Sequence, residues 1–342
     1  MHVPRRVVEL RSLIEAPSAI RPAYRDGPAT DRPVGTVGAP RISTSGRAGG
    51  APGNGQDGSG PGTAASDAAA SVRMSGVNVR IRHHVVETGP PTGRVVVLAH
   101  GFGCDQHMWR LVAPRLAEVF RVVTFDFVGS GRSDRSAWDA QRYASLDGYA
   151  QDVAQLCREL DLREVMFVGH SVSAMIGVLA ARLEPERFAR LVLVTPSPCY
   201  IDDGPYRGGF SRSDIEELLE SLSDNYLGWS ATMAPAIMGN PERPELGEEL
   251  TNSFCQMDPQ VAQVFARATF LSDNRADLAT VKVPTLVLQC AQDVIAPPEV
   301  GAYVHAQIPG SVLVSLDATG HCPQLSAPRE TAEQIIAFGS SG

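Results

Sequence analysis

The sequence predicts an α/β protein, with a mostly parallel central sheet flanked by helices on both faces and an all-helical insertion. Three observations carry that expectation. Short β-branched runs alternate with stretches of helical periodicity from Val77 to Phe338. Turn residues such as Gly129 and Gly131 follow the strand-like runs. From about Pro198 to Leu278 the alternation stops, and helical patterns succeed one another with no strand between them.

Taken in order, Val77 to Val86 and Val95 to Ala99 read as strands, rich in β-branched residues, and Arg121 to Asp126 as a third. Leu146 to Leu160 places apolar residues at helical spacing, Glu164 to Val168 is a short buried strand, and Ser173 to Leu183 is helical. Leu191 to Thr195, Thr285 to Gln289 and Val312 to Leu316 complete the strands, with helices near Val300 to Ala306 and Arg329 to Phe338. Within the insertion the helical patterns are Ser213 to Ser223, Gly228 to Ile237, Leu246 to Phe254 and Pro259 to Phe270. Placed between two strands on the carboxyl side of the sheet, residues 198–278 are a candidate lid over the region where open α/β sheets bind ligands.

The first 73 residues have a different character. Gly, Pro, Ala, Ser and Thr dominate from about Gly27 to Ser71, and no aromatic residue lies between Tyr24 and Phe102. Such a segment buries too little apolar area to offset its ordering entropy, so residues 1–73 read as a disordered extension ahead of a domain spanning 74–342. Met74 is an alternative start.

Composition narrows the function classes. The 342 residues carry 30 Lys plus Arg against 38 Asp plus Glu, a formal net charge of −8, so no cationic surplus exists to neutralise a phosphate backbone. All the cations but Lys282 are arginine. The apolar runs fall far short of the roughly 20 residues a membrane span requires, and Glu9, Arg11 and Glu15 interrupt any secretory h-region. A cytoplasmic protein without nucleic-acid or membrane partners is expected. Six scattered cysteines form no C-x-x-C pair and no zinc spacing, which predicts reduced thiols and no metal. Asp126 to Asp134 superficially resembles a phosphate loop but lacks the lysine and spacing of one, so no nucleotide or other cofactor is expected.

The chemistry-bearing motif is Phe167-Val-Gly-His-Ser171-Val-Ser-Ala, at the junction of a strand and a helix. A serine there sits on a sharp turn with its hydroxyl above the sheet, and the turn demands small residues on either side. Gly169 meets the G-x-S-x-G pattern, while Ser173 replaces its last glycine. The other reading of Ser171 is a helix N-cap. Asp293 and His321 each follow a predicted strand, and the order Ser, Asp, His is that of the α/β-hydrolases. A serine hydroxyl is a weak nucleophile until an imidazole removes its proton, and the imidazole needs a carboxylate to fix its tautomer. Ser171, Asp293 and His321 are therefore the candidate catalytic residues. His100-Gly-Phe-Gly-Cys104 matches a loop that supplies half of an oxyanion hole, with the Phe102 N–H as one donor and the Val172 N–H as the other. The His100 side chain is expected to support that loop, and His83 and His84 to lie on the surface of an early strand. Phe210, Trp229 and Phe265 from the insertion, with Phe102 below, are candidates to line an apolar substrate pocket.

Seven segments together carry a more specific likeness: His100-Gly-Phe-Gly-Cys-Asp-Gln106, Phe125-Asp-Phe-Val-Gly-Ser-Gly131, Tyr149-Ala-Gln-Asp-Val153, Gly169-His-Ser-Val172, Pro196-Ser-Pro-Cys-Tyr200, Leu288-Gln-Cys-Ala291 and Gly320-His-Cys-Pro323. Over residues 76–338 the chain resembles the RsbQ-type α/β-hydrolases, regulators of the sigma-B general-stress pathway, in the family that also holds the strigolactone and karrikin receptors. That resemblance implies a triad of Ser171, Asp293 and His321, an oxyanion hole at Phe102 and Val172, and a four-helix lid at 198–278. It also implies a small hydrophobic ligand, and a PAS-domain phosphatase of the PP2C type as partner. A serine hydrolase acting on a small hydrophobic ester or lactone is the expected function. A ligand-binding signalling module with little turnover, or a cofactor-free haloperoxidase or carbon–carbon hydrolase, would use the same residues.

Overall fold

The computed structural model describes residues 78–341. The extension expected over 1–73 lies outside them. Seven strands form one sheet: β1 (Val86–Thr88), β2 (Val95–Ala99), β3 (Arg121–Thr124), β4 (Val165–His170), β5 (Phe188–Val194), β6 (Thr285–Gln292) and β7 (Val312–Thr319), in the spatial order 1-3-2-4-5-6-7. Only β1 runs antiparallel to its neighbour, so the fold is the mostly parallel α/β sheet that the alternation predicts. Every residue of β2 and β4 is buried, which is why those segments read as unbroken apolar runs rather than alternating ones.

The helices are α1 (Val79–Arg82), α2 (Ala113–Leu116), α3 (Leu146–Glu159) and α4 (Val172–Leu183) before the insertion. Within it come α5 (Arg212–Asp224), α6 (Tyr226–Met238), α7 (Pro244–Gln256), α8 (Pro259–Phe270) and the short α9 (Arg275–Leu278). Helices α10 (Pro298–Gln307), α11 (Pro323–Ser326) and α12 (Pro328–Ser340) close the chain. Local sequence explains most of the starts. Ser145 accepts from the Asp147 N–H at the head of α3, Ser211 and Asp214 form a capping box at α5, and Asp258 caps α8 ahead of Pro259. The insertion occupies the β5–β6 connection, so it rises from the carboxyl edge of the sheet.

The first predicted strand is partly wrong. Val79–Arg82 is a helical turn that Asn78 caps by accepting from the Arg80 N–H at 2.9 Å, and only Val86–Thr88 is strand. In that turn Val79 is buried while Ile81 is 66% exposed, so the two alternating apolar residues do not share a face as a strand would require. His83 is correspondingly not a surface residue. It is fully buried, its Nδ1–H donates to the Asp126 carbonyl at 3.1 Å, and its own carbonyl accepts the Asp126 N–H at 2.8 Å. Burial lowers its pKa and keeps the ring neutral. Among the described residues no helix is long and apolar enough to cross a membrane, and no cluster of His, Cys, Asp and Glu could hold a metal. All six cysteines are free thiols, and only Cys255 is exposed.

Candidate active site

Four strand ends deliver the site. β4 ends at His170, and the chain turns through Ser171 with φ 57° and ψ −123° before entering α4. A left-handed conformation at a non-glycine residue is strained, and here it projects the side chain away from the sheet. Gly169 makes the turn possible, since a Cβ there would lie 2.3 Å from the Ser173 carbonyl oxygen. Ser171 occupies the N-cap position of α4 yet makes no capping bond. Its hydroxyl donates instead to His321 Nε2 at 2.7 Å.

His321 follows β7, and its Nδ1–H donates to Asp293 Oδ2 at 2.7 Å. A carboxylate only accepts, so the imidazole proton is on Nδ1 and the Nε2 lone pair faces the serine. Asp293, just beyond β6, is held by its other oxygen, which accepts the N–H groups of Ile295 (2.8 Å) and Ala296 (3.0 Å). All three side chains are buried. Sequence positions 171, 293 and 321 thus converge into one hydrogen-bonded chain. The insertion reaches into this arrangement directly. The His321 N–H donates to the Ile237 carbonyl near the end of α6 at 2.9 Å. Gly320, at φ 86°, sits so close to that helix end that a Cβ would meet the Met238 carbonyl oxygen at 1.7 Å.

The loop after β2 supplies the opposite wall. Neither the Phe102 nor the Val172 N–H donates a hydrogen bond to the protein among the described residues, so both expected oxyanion donors are free. His100 braces the loop as its position suggests: its Nδ1–H donates to the Gly101 carbonyl at 2.9 Å and its Nε2 accepts the Phe127 N–H at 3.1 Å. Ser173, the departure from G-x-S-x-G, donates its hydroxyl to the His100 carbonyl and so ties the Ser171 turn to that loop. Ser173→Ala should leave this buried carbonyl without a partner and cost about 1–3 kcal/mol of stability, read as a lowered Tm. An unchanged Tm would show the bond to be dispensable.

Between the sheet and the insertion lies a cavity of about 30 Å³ reaching Ser171 and His321. Phe102 lines it, as the sequence suggests, but Phe210, Trp229 and Phe265 do not. Trp229 stacks on Phe254 at 5.7 Å and Phe265 on Tyr149 at 4.4 Å, both behind the wall and edge-on to Phe102. Phe210 pairs through its backbone with Tyr200, away from the cavity. The apolar wall is formed instead by Ile237, Leu250, Phe254, Phe270 and Ile295, with Tyr200 as a polar member. Aromatic content alone does not distinguish wall from filler, because that depends on how each helix is rotated. Burial pushes the Cys104 thiol at this wall up to about 12 and raises that of Cys322 as well, so neither is a thiolate nucleophile.

Residues 96–334 match the alpha/beta hydrolase family. The chain belongs to that family. Among its relatives, the strigolactone esterase of Arabidopsis thaliana is 38% identical over 261 residues, which cover 76% of this chain and 95% of the relative. A karrikin insensitive 2 receptor of Petunia hybrida is 39% identical over 236 residues, 69% of this chain and 87% of the receptor. Of the solved structures, a hydrolase from Oleispira antarctica superposes with a TM-score of 0.75 at 42% identity, over 77% of this chain and 97% of its own. This α/β hydrolase therefore has both esterases and receptors among its relatives.

Proposed function

We propose that the chain is a serine hydrolase of small hydrophobic esters or lactones, with Ser171 as nucleophile, His321 as general base and acid, and Asp293 as the group that orients the imidazole. The observation that carries this reading is the unbroken chain Ser171–His321–Asp293, with both bonds at 2.7 Å, opening on an apolar cavity. Ser171 Oγ attacks the substrate carbonyl carbon as its proton passes to His321 Nε2, and the developing oxyanion is held by the Phe102 and Val172 N–H groups. Collapse of the tetrahedral intermediate expels the alcohol, which takes the proton from His321. Water activated by His321 then releases the acid. For a lactone the expelled hydroxyl stays tethered to the acyl group.

A signalling output of the RsbQ type, with a PAS-domain PP2C-type phosphatase as partner, is part of the same proposal. Its support is the sequence resemblance and the receptor relatives. The small volume of the cavity favours it too, since a ligand larger than that volume must move the residues of the insertion that line it. Single-turnover kinetics of the full chain with a short-chain chromogenic ester, with protein mass followed in parallel, tests this reading. A burst with an acyl adduct on Ser171 and slow release is expected. Rapid steady turnover without accumulation would point to a metabolic esterase, and no reaction with any short ester or lactone would overturn the hydrolase reading.

A further inference from the structure

We propose that His170, the residue before the nucleophile, is a positioning residue that sets His321 through its backbone; this rests on reading Ser171, His321 and Asp293 as a triad. His170 Nε2 lies 2.8 Å from the His321 carbonyl oxygen. A carbonyl only accepts, so the ring proton is on Nε2 and donates there. The Thr195 hydroxyl also reaches this carbonyl, at 3.2 Å, but lies closer to the Val194 carbonyl, at 2.8 Å. On its other side the His321 N–H is taken by Ile237 of α6. The sheet and the insertion therefore grip the same residue from opposite sides, and only two side-chain torsions separate that grip from the Nε2 that faces Ser171.

The histidine is held there against a local penalty. It is 2% exposed, and its Nδ1 is buried with no hydrogen-bond partner. The ring packs on the Gly101 backbone, where a Cβ would meet Nδ1 at 2.6 Å, so it also spaces the Phe102 loop from His321. Its electrical neutrality suits the position. The two imidazoles are 5.1 Å apart, and burial together with the neighbouring His321 presses the His170 pKa down to about 3. When His321 takes the serine proton, the charge stays beside Asp293 and is not shared with His170. A lysine or arginine donor would instead oppose the imidazolium.

The test uses two variants of the full chain. His170→Gln keeps an N–H near the position of Nε2, and His170→Met keeps volume without a donor. With a short p-nitrophenyl ester, His170→Met is expected to lose roughly 10- to 100-fold in kcat, because a small misplacement of a catalytic group costs that much, while KM changes little. His170→Gln should recover most of the loss. A second readout needs no substrate: the low-field proton resonance of His321 Nδ1–H should be present in the wild type and His170→Gln and lost or shifted in His170→Met. Should the methionine variant fail to fold, His170→Asn, whose shorter amide does not reach the carbonyl, takes its place with the same expectation. Wild-type kcat with an unchanged resonance in the donorless variant overturns the proposal, as does an equal loss in both variants. Should the wild type turn over no ester while its resonance still follows the donor, the hydrolase reading fails and the positioning stands.

Discussion

Ser171→Ala should lower ester hydrolysis by roughly 10^4- to 10^6-fold, the range found when the nucleophile of a Ser-His-Asp site is removed, while the protein stays folded. The second half of that expectation follows from where the hydroxyl goes. It bonds His321, with the Tyr200 side chain also in hydrogen-bonding contact, and it does not cap α4. Alanine adopts φ 57° no worse than serine, so the strained turn is kept at the same expense. Equal circular dichroism and Tm with hydrolysis reduced by that factor is the result to look for, and turnover within tenfold of the wild type would remove Ser171 from the mechanism.

Asp293→Asn should lower kcat by about 10^4-fold, and the reason is the orientation of the new amide. One oxygen of Asp293 accepts from both the Ile295 and Ala296 N–H groups. Those donors will select the amide oxygen of asparagine, which turns its NH2 toward His321 Nδ1. A donor facing that nitrogen forces the imidazole proton onto Nε2, where it blocks acceptance of the serine proton. Steady-state kinetics paired with NMR of the His321 tautomer checks both steps. A loss of less than tenfold, or a retained Nδ1–H, would show that Asp293 does not hold the tautomer.

Much of this arrangement is legible in the sequence because it depends on local rules. The helix α8 is read at its observed bounds because Pro259 starts it and apolar residues recur at helical spacing up to Phe270. Strand β2 is read equally well because a strand buried on both faces is a continuous apolar run. Ser171, Asp293 and His321 are recognisable because chemistry restricts which residues follow which strand. What escapes is set by packing across long separations. The fate of His83 depends on Asp126, the wall of the cavity depends on the rotation of α6 to α8, and the partner of His170 lies 151 positions away. Ser173 looks like a blemish in its motif, and its value shows only once the His100 carbonyl is beside it.

The cavity above Ser171, at about 30 Å³, offers room for little more than one water molecule. A ligand of even a few carbon atoms therefore meets a protein whose receptive form is a minority, and its apparent dissociation constant is the intrinsic one divided by the receptive fraction. Side chains of α6 and α7 that line the cavity, Ile237, Leu250 and Phe254, must move for such a ligand to enter, and they must move again for it to leave. A molecule that binds weakly by equilibrium measurement can still reside for a long time once enclosed.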